Sequence, residues 1–100
     1  MDQAPPEGWN HRENALHRSF QRKDFVEALA FLIAVGKLAE AANHHPDVEL
    51  SYNKLHLSLC THDAGHKVTE KDIHLAEQIN ALSDATVLPA AQKLREYLRS

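Results

Sequence analysis

Three histidines, His44, His45 and His62, are the residues whose chemistry stands out in this chain. They belong to the pattern Glu40-x3-His44-His45-Pro46-x5-Tyr52-x9-His62-x9-Asp72. Imidazole titrates close to neutrality and can serve as acid or base, and a positioned group of this kind contributes roughly 10²–10⁴-fold to a rate. Imidazoles held near one another disfavour each other's protonation, so the three would titrate as a coupled set. The same rings could instead supply the nitrogens of a catalytic zinc site. Against that, adjacent histidines on extended backbone point to opposite faces, which is a poor arrangement for chelation.

Whether the rings meet depends on the segments between them. Val48, Leu50 and Tyr52 alternate with Asp47, Glu49 and Ser51, while Leu55, Leu57 and Leu59 alternate with His56, Ser58 and Cys60. Both runs have the period of a strand, and Asn53-Lys54 lies between them as a two-residue hairpin loop. That loop pairs Val48 with Leu59, Leu50 with Leu57 and Tyr52 with Leu55, giving one wholly apolar face. A slip of one residue would destroy the match. The same register sets His45 opposite His62, with His44 beside them.

Helices must back this sheet. Asp24 caps the first, and Glu27 three residues later completes a capping-box pattern. Phe25, Leu29, Leu32, Gly36 and Ala39 lay an apolar stripe along it. It ends at Asn43 and His44-His45-Pro46, because a residue before proline avoids helical geometry. Thr69 to Asp72 is a second capping box, opening a helix with the stripe Leu75, Ile79 and Leu82. Val87, Ala91, Leu94 and Leu98 mark a last helix, with Pro89 tolerable in a first turn only. Upstream, Leu16, Arg18 and Phe20 alternate with His17, Ser19 and Gln21 as a strand, turned back at Glu13-Asn14 from a short strand near Trp9. The order β-β-α-β-β-α, plus a short C-terminal helix, predicts an α+β fold: an antiparallel four-stranded sheet with helices on one face. The boundaries are a flexible lead-in at 1–7, one domain at 8–84 and a helical extension at 85–100.

Composition narrows the classes further. A chain of 100 residues has a thin core, so self-assembly would help it. Its 43% hydrophobic and 25% charged residues suit a soluble globular protein. The 11 basic residues are scattered and outnumbered by 14 acidic ones, which argues against direct nucleic-acid binding. Cys60 is the single cysteine, which excludes an internal disulfide and suits a reducing cytoplasm. The opening residues lack a basic region followed by an apolar run, and the apolar stretch Ala28–Val35 is too short to span a bilayer. His11, His17, His56, His66 and His74 read as surface residues, and Cys60 falls on the polar face with nothing to mark it as a nucleophile.

The pattern around the three histidines resembles the signature of the pterin-4a-carbinolamine dehydratases. The likeness extends to Gly8-Trp9, Phe20 with Asp24-Phe25, Tyr52-Asn53, Thr61-His62-Asp63-Ala64-Gly65 and Thr69-Glu70-Lys71-Asp72-Ile73. It covers about residues 8–84. Members often carry Trp two residues after the proline, where this chain has Val48, and the loop from His62 to Asp72 is one residue longer, with His66-Lys67 in it. The resemblance implies a cytoplasmic lyase that removes water from 4a-hydroxytetrahydropterin to give quinonoid dihydropterin, in tetrahydrobiopterin recycling, without cofactor or metal. It implies His44 and His62 as the acid and base, and His45 as the group that binds and orients the pterin. Glu40 and Asp72 are implied in support, while Pro46 ends the helix and aims the histidines. Its implied partners are the pterin and further copies of the chain, as homotetramer or homodimer. Some animal members also bind a homeodomain transcription factor as coactivators, so a non-catalytic protein-binding module is a rival reading beside the metal protein. A metal assay and a 4a-hydroxypterin absorbance assay separate the three.

Overall fold

The computed structural model describes residues 4–99 of the chain; the first three residues of the expected lead-in lie outside the described part. The elements in chain order are β1 (Asn10–Arg12), β2 (Ala15–Gln21), α1 (Phe25–Ala42), β3 (Asp47–Ser51), β4 (Lys54–Leu59), a 3-10 turn (His62–Ala64), α2 (Glu70–Asn80) and α3 (Asp84–Arg99). The strands form one antiparallel sheet in the order β1-β2-β4-β3. The α+β architecture is the one the alternating patterns predict, although α3 is a full 16-residue helix, longer than α2.

Each hairpin turns where left-handed backbone is tolerated. Glu13 and Asn14, both at positive φ, join Arg12 to its partner Ala15. The second hairpin departs from expectation by two residues. Val48 faces Leu57, Leu50 faces Leu55 and Ser51 faces Lys54, so the loop is Tyr52-Asn53 with Tyr52 at φ 51°. A slip of two preserves the apolar face, because side chains repeat with period two. What selects this register lies elsewhere in the fold: Asn53 accepts from Arg22 N–H at 2.9 Å and donates its side-chain amide to the Arg22 carbonyl at 3.0 Å. Tyr52 is therefore 67% exposed rather than part of the core, and the ladder continued outward sets His45 opposite Cys60, not His62.

α1 is apolar on most of its circumference because it is covered twice, by the sheet and by α3. Its buried line runs through Ala28, Phe31, Val35 and Ala39, while Phe25 of the expected stripe is exposed. Asp24 caps it by accepting from Glu27 N–H at 2.9 Å. The Glu27 carboxylate does not return to Asp24 but binds Arg22 at 3.0 Å. Leu55, Leu57 and Leu59 of β4 lie fully buried against Leu16, Phe31, Val35, Leu75 and Ile79.

The two ends of the domain are tied down. Gly8 takes φ 85°, and a Cβ there would lie 2.7 Å from the Arg18 guanidinium, so the position needs glycine. Trp9 is buried and donates its indole N–H to Asn80 Oδ1 at 2.9 Å. At the other end α3 lies on α1, burying Val87 and Ala91 and placing Arg95 3.0 Å from Asp24. Pro89 sits in the second turn of α3, one turn later than expected: Thr86 and Val87 already donate to the Ser83 carbonyl.

Candidate active site

The first two histidines are aimed by the end of α1. Asn43 takes a left-handed conformation (φ 49°, ψ 43°), Asn43 N–H donates to Glu40 O at 3.2 Å, and His44 N–H donates to Ala39 O at 3.0 Å. These are the two bonds of a Schellman ending, with asparagine in the place glycine usually fills. The helix is thus stopped by Asn43 one residue before the histidines, and Pro46 follows where no helical N–H is needed.

His44 is 12% exposed in its side chain, and its Nε2 lies 2.5 Å from Asp72 Oδ1. Asp72 is itself 0% exposed. A carboxylate so deep requires partners on both oxygens, and it has them. Its Oδ2 accepts from Thr61 Oγ1 at 2.7 Å and from Thr69 N–H at 2.9 Å, the latter closing the capping box of α2. Thr61 and Thr69 hydroxyls lie 2.6 Å apart, and Thr69 Oγ1 accepts from Lys71 N–H. One consistent direction of donation runs from Thr69 to Thr61 to Asp72. Asp72 then accepts from His44 Nε2–H, which leaves Nδ1 as the basic nitrogen.

His45 has a different setting. Its Nε2 lies 2.5 Å from Glu40 Oε2, in the last turn of α1, with 53% and 79% side-chain exposure. A pair so open to water contributes little to stability but restrains the ring. His62 opens the 3-10 turn and is exposed; its neighbours are Cys60, with Sγ 3.9 Å from Nε2, and His66, whose ring stands edge-on with centroids 4.7 Å apart. His44, His45, Pro46, Thr61, His62 and Lys71 line one cleft of about 340 Å³. That volume suits a bicyclic small molecule. The Cys60 thiol is pushed up from its ordinary value by burial first and by the negative charges of Asp72 and Asp47, which disfavours a free thiolate nucleophile.

All six residues expected in the site are therefore near one another: His44, His45, Pro46 and His62 on the cleft, with Asp72 behind His44 and Glu40 behind His45. They do not form one ligand set; among the described residues the donors that could share an ion are Cys60, His62 and His66. Sequence reasoning missed Thr61. Yet the alternation of Leu55, Leu57 and Leu59 continued by one step puts residue 61 inward, and a buried threonine must find a partner. Thr69 was read as a cap alone, and Lys71 on the cleft wall had no signal. His17 and His56, read as separate surface residues, stack across the open sheet face, with Nδ1 of one 3.2 Å from Nε2 of the other.

Known proteins carry the same arrangement of elements and much of the same sequence. The family described as Pterin 4 alpha carbinolamine dehydratase matches residues 1–82. A Thermomicrobium roseum protein provisionally named as a pterin-4-alpha-carbinolamine dehydratase is 47% identical over 76 residues, 76% of this chain and 81% of the relative. One from Picosynechococcus, provisionally named likewise, is 46% identical over 74 residues, 74% of this chain and 79% of its own. Among solved structures, a transcriptional coactivator/pterin dehydratase from Brucella melitensis superposes with a TM-score of 0.70 at 38% identity, covering 75% of this chain and 81% of that one. A pterin dehydratase-like RuBisCO assembly factor of the alpha-carboxysome shares the fold at TM-score 0.59 and 19% identity, over 73% and 83% of the two chains. No helix among the described residues is long and apolar enough to cross a membrane. With the family matching over more than four-fifths of its length and relatives near half identity, this chain belongs to the pterin 4 alpha carbinolamine dehydratases.

Proposed function

We propose that the chain dehydrates 4a-hydroxytetrahydropterin to quinonoid dihydropterin by histidine acid/base catalysis, serving tetrahydrobiopterin recycling in the cytoplasm. The reaction breaks the C4a–O bond, the leaving hydroxyl takes up a proton and departs as water, and N5 gives up its proton. The observation that carries the reading is the His44–Asp72 array on the wall of a cleft of about 340 Å³. His44, with Nε2 committed to Asp72, offers Nδ1 to one proton, and His62 handles the other. His45, restrained by Glu40, orients the pterin, and Pro46 fixes the backbone just after both histidines. Self-assembly into a homodimer or homotetramer goes with this, because β1 and β3 are open edges and Val48 on β3 is exposed. Sedimentation equilibrium tests the assembly, and a monomer at micromolar concentration refutes it.

The test of the activity is the rate of carbinolamine dehydration followed by absorbance. His44→Ala and His62→Ala each slow it about tenfold or more with circular dichroism unchanged. Wild-type rates in both variants overturn the reading. The Brucella relative is described as both a transcriptional coactivator and a pterin dehydratase, so a protein-binding module is the second reading; a wild-type chain no faster than the uncatalysed reaction favours it.

A further inference from the structure

On the Cys60 side of His62 a second group of donor atoms gathers. Among the described residues, the Sγ of Cys60 and one ring nitrogen each of His62 and His66 all lie within 4.8 Å of one another. Cys60 Sγ is 3.9 Å from His62 Nε2. A tetrahedral zinc ion bound by one thiolate and two imidazoles, with bonds of about 2.3 and 2.0–2.1 Å, sets its donors about 3.3–3.6 Å apart. Side-chain rotations moving these atoms by about 1 Å close the difference.

The backbone is already folded around that point. Thr61 and Lys67 form an antiparallel bridge, with Thr61 N–H donating to Lys67 O at 2.8 Å. Inside it, Gly65 N–H donates to His62 O and His66 N–H to Thr61 O, both at 3.1 Å. Gly65 and His66 take φ of 82° and 58° in succession, which turns the chain back and brings the His66 ring against His62. A loop closed by its own bonds loses little further freedom when its side chains bind a ligand. One sulfur and two imidazoles favour zinc and its neighbours over magnesium or calcium, which seek oxygen.

We propose that Cys60, His62 and His66 form a site for a divalent transition-metal ion, zinc foremost, and that filling it inhibits dehydration by taking His62 out of the reaction. The binding half stands on the three donors alone. The inhibitory half rests on the dehydratase reading, since the metal occupies the lone pair with which His62 would accept a proton. Zinc is then a regulator of this site and not its cofactor.

The experiment titrates the full chain with Co2+, following the near-ultraviolet thiolate-to-cobalt absorption, and then displaces it with Zn2+. Cys60→Ser and His66→Asn are the variants; asparagine tolerates the left-handed backbone at position 66. The expected result is one ion per chain with a thiolate band. That band vanishes in Cys60→Ser, and affinity falls about tenfold or more in His66→Asn. Both variants keep the metal-free dehydration rate and lose inhibition by zinc. A wild-type complex without the thiolate band, or undiminished affinity in Cys60→Ser, overturns the site and assigns the metal to other histidines. A thiolate band with an unchanged rate at saturating zinc overturns the inhibitory half. A chain with the band and no dehydratase activity at any metal level sinks the dehydratase reading and supports the binding half.

Discussion

Asp72 meets His44 across 28 residues of sequence, with 2.5 Å between Oδ1 and Nε2, while its other oxygen is held by Thr61 and Thr69. One carboxylate therefore does two jobs, starting a helix and fixing the tautomer of an imidazole. Both uses need an acceptor, and that makes the residue sensitive to a change that preserves its shape.

Asp72→Asn keeps the volume but brings an NH2 group to face either the His44 N–H or the donors Thr61 and Thr69. In the first case His44 must move its proton to Nδ1; in the second a buried donor is unpaired, at about 1–3 kcal/mol. We expect kcat to fall about tenfold or more with KM little changed, and the pH–rate profile to move. Measurements well below the variant's melting temperature separate this from instability, and an unmoved pH profile with full kcat refutes the positioning role.

Thr61→Val removes the hydroxyl that links Thr69 to Asp72. The loss is about 1–3 kcal/mol in urea unfolding, because the buried Asp72 Oδ2 keeps only the Thr69 N–H and the Thr69 hydroxyl loses its acceptor. Thr61→Ser restores most of it, while equal losses in both variants would point to packing of the methyl group instead.

Asp24 is held below its ordinary value, first by the Glu27 N–H it accepts and then by Arg95. A carboxylate shifted downward contributes stability that is fully present above the ordinary aspartate value, about 4, and is lost as pH falls through the folded value. In Asp24→Asn the melting temperature drops at pH 7, and its acid dependence below pH 4 flattens. Thermal scans from pH 7 to pH 2 check this; parallel curves for variant and wild type contradict it.

His17 is lowered by burial first, then by the charges of Arg12 and His56. Its neutral form is the one the fold accommodates, so its contribution is full above the ordinary imidazole value, about 6.5, and is lost as pH falls toward the lowered value. His17→Gln removes that part of the slope in unfolding free energy between pH 7 and pH 5. Denaturant titrations at both pH values in wild type and variant measure it, and identical slopes count against it.

Legibility in the sequence followed the range of the interaction that decides each feature. The start of α1 and the start of α2 were readable because Asp24 and Thr69 act on amides within a turn. The strand pattern was readable, but not its register, since period two cannot separate a shift of two residues and the deciding bonds run from Asn53 to Arg22. The proximity of His44, His45 and His62 is anticipated through the wrong pairing; the three side chains line one cleft because a Schellman ending and a 3-10 turn both open there. The Glu27–Arg22 pair was hidden for a different reason, since a capping box and an ion pair demand the same residue type.

Arg95 grips Asp24 from 71 positions further along the chain. On a ribosome adding about 5–20 residues per second, the helix start and its partner are made about 4–14 s apart. For that interval α1 exists with its cap and without its clamp, and the Arg22–Asp84 contact is missing for most of it as well. A nascent chain stalled short of α3 would thus present α1 without the helix that lies along it, so the last helix closes the domain only after synthesis is nearly complete.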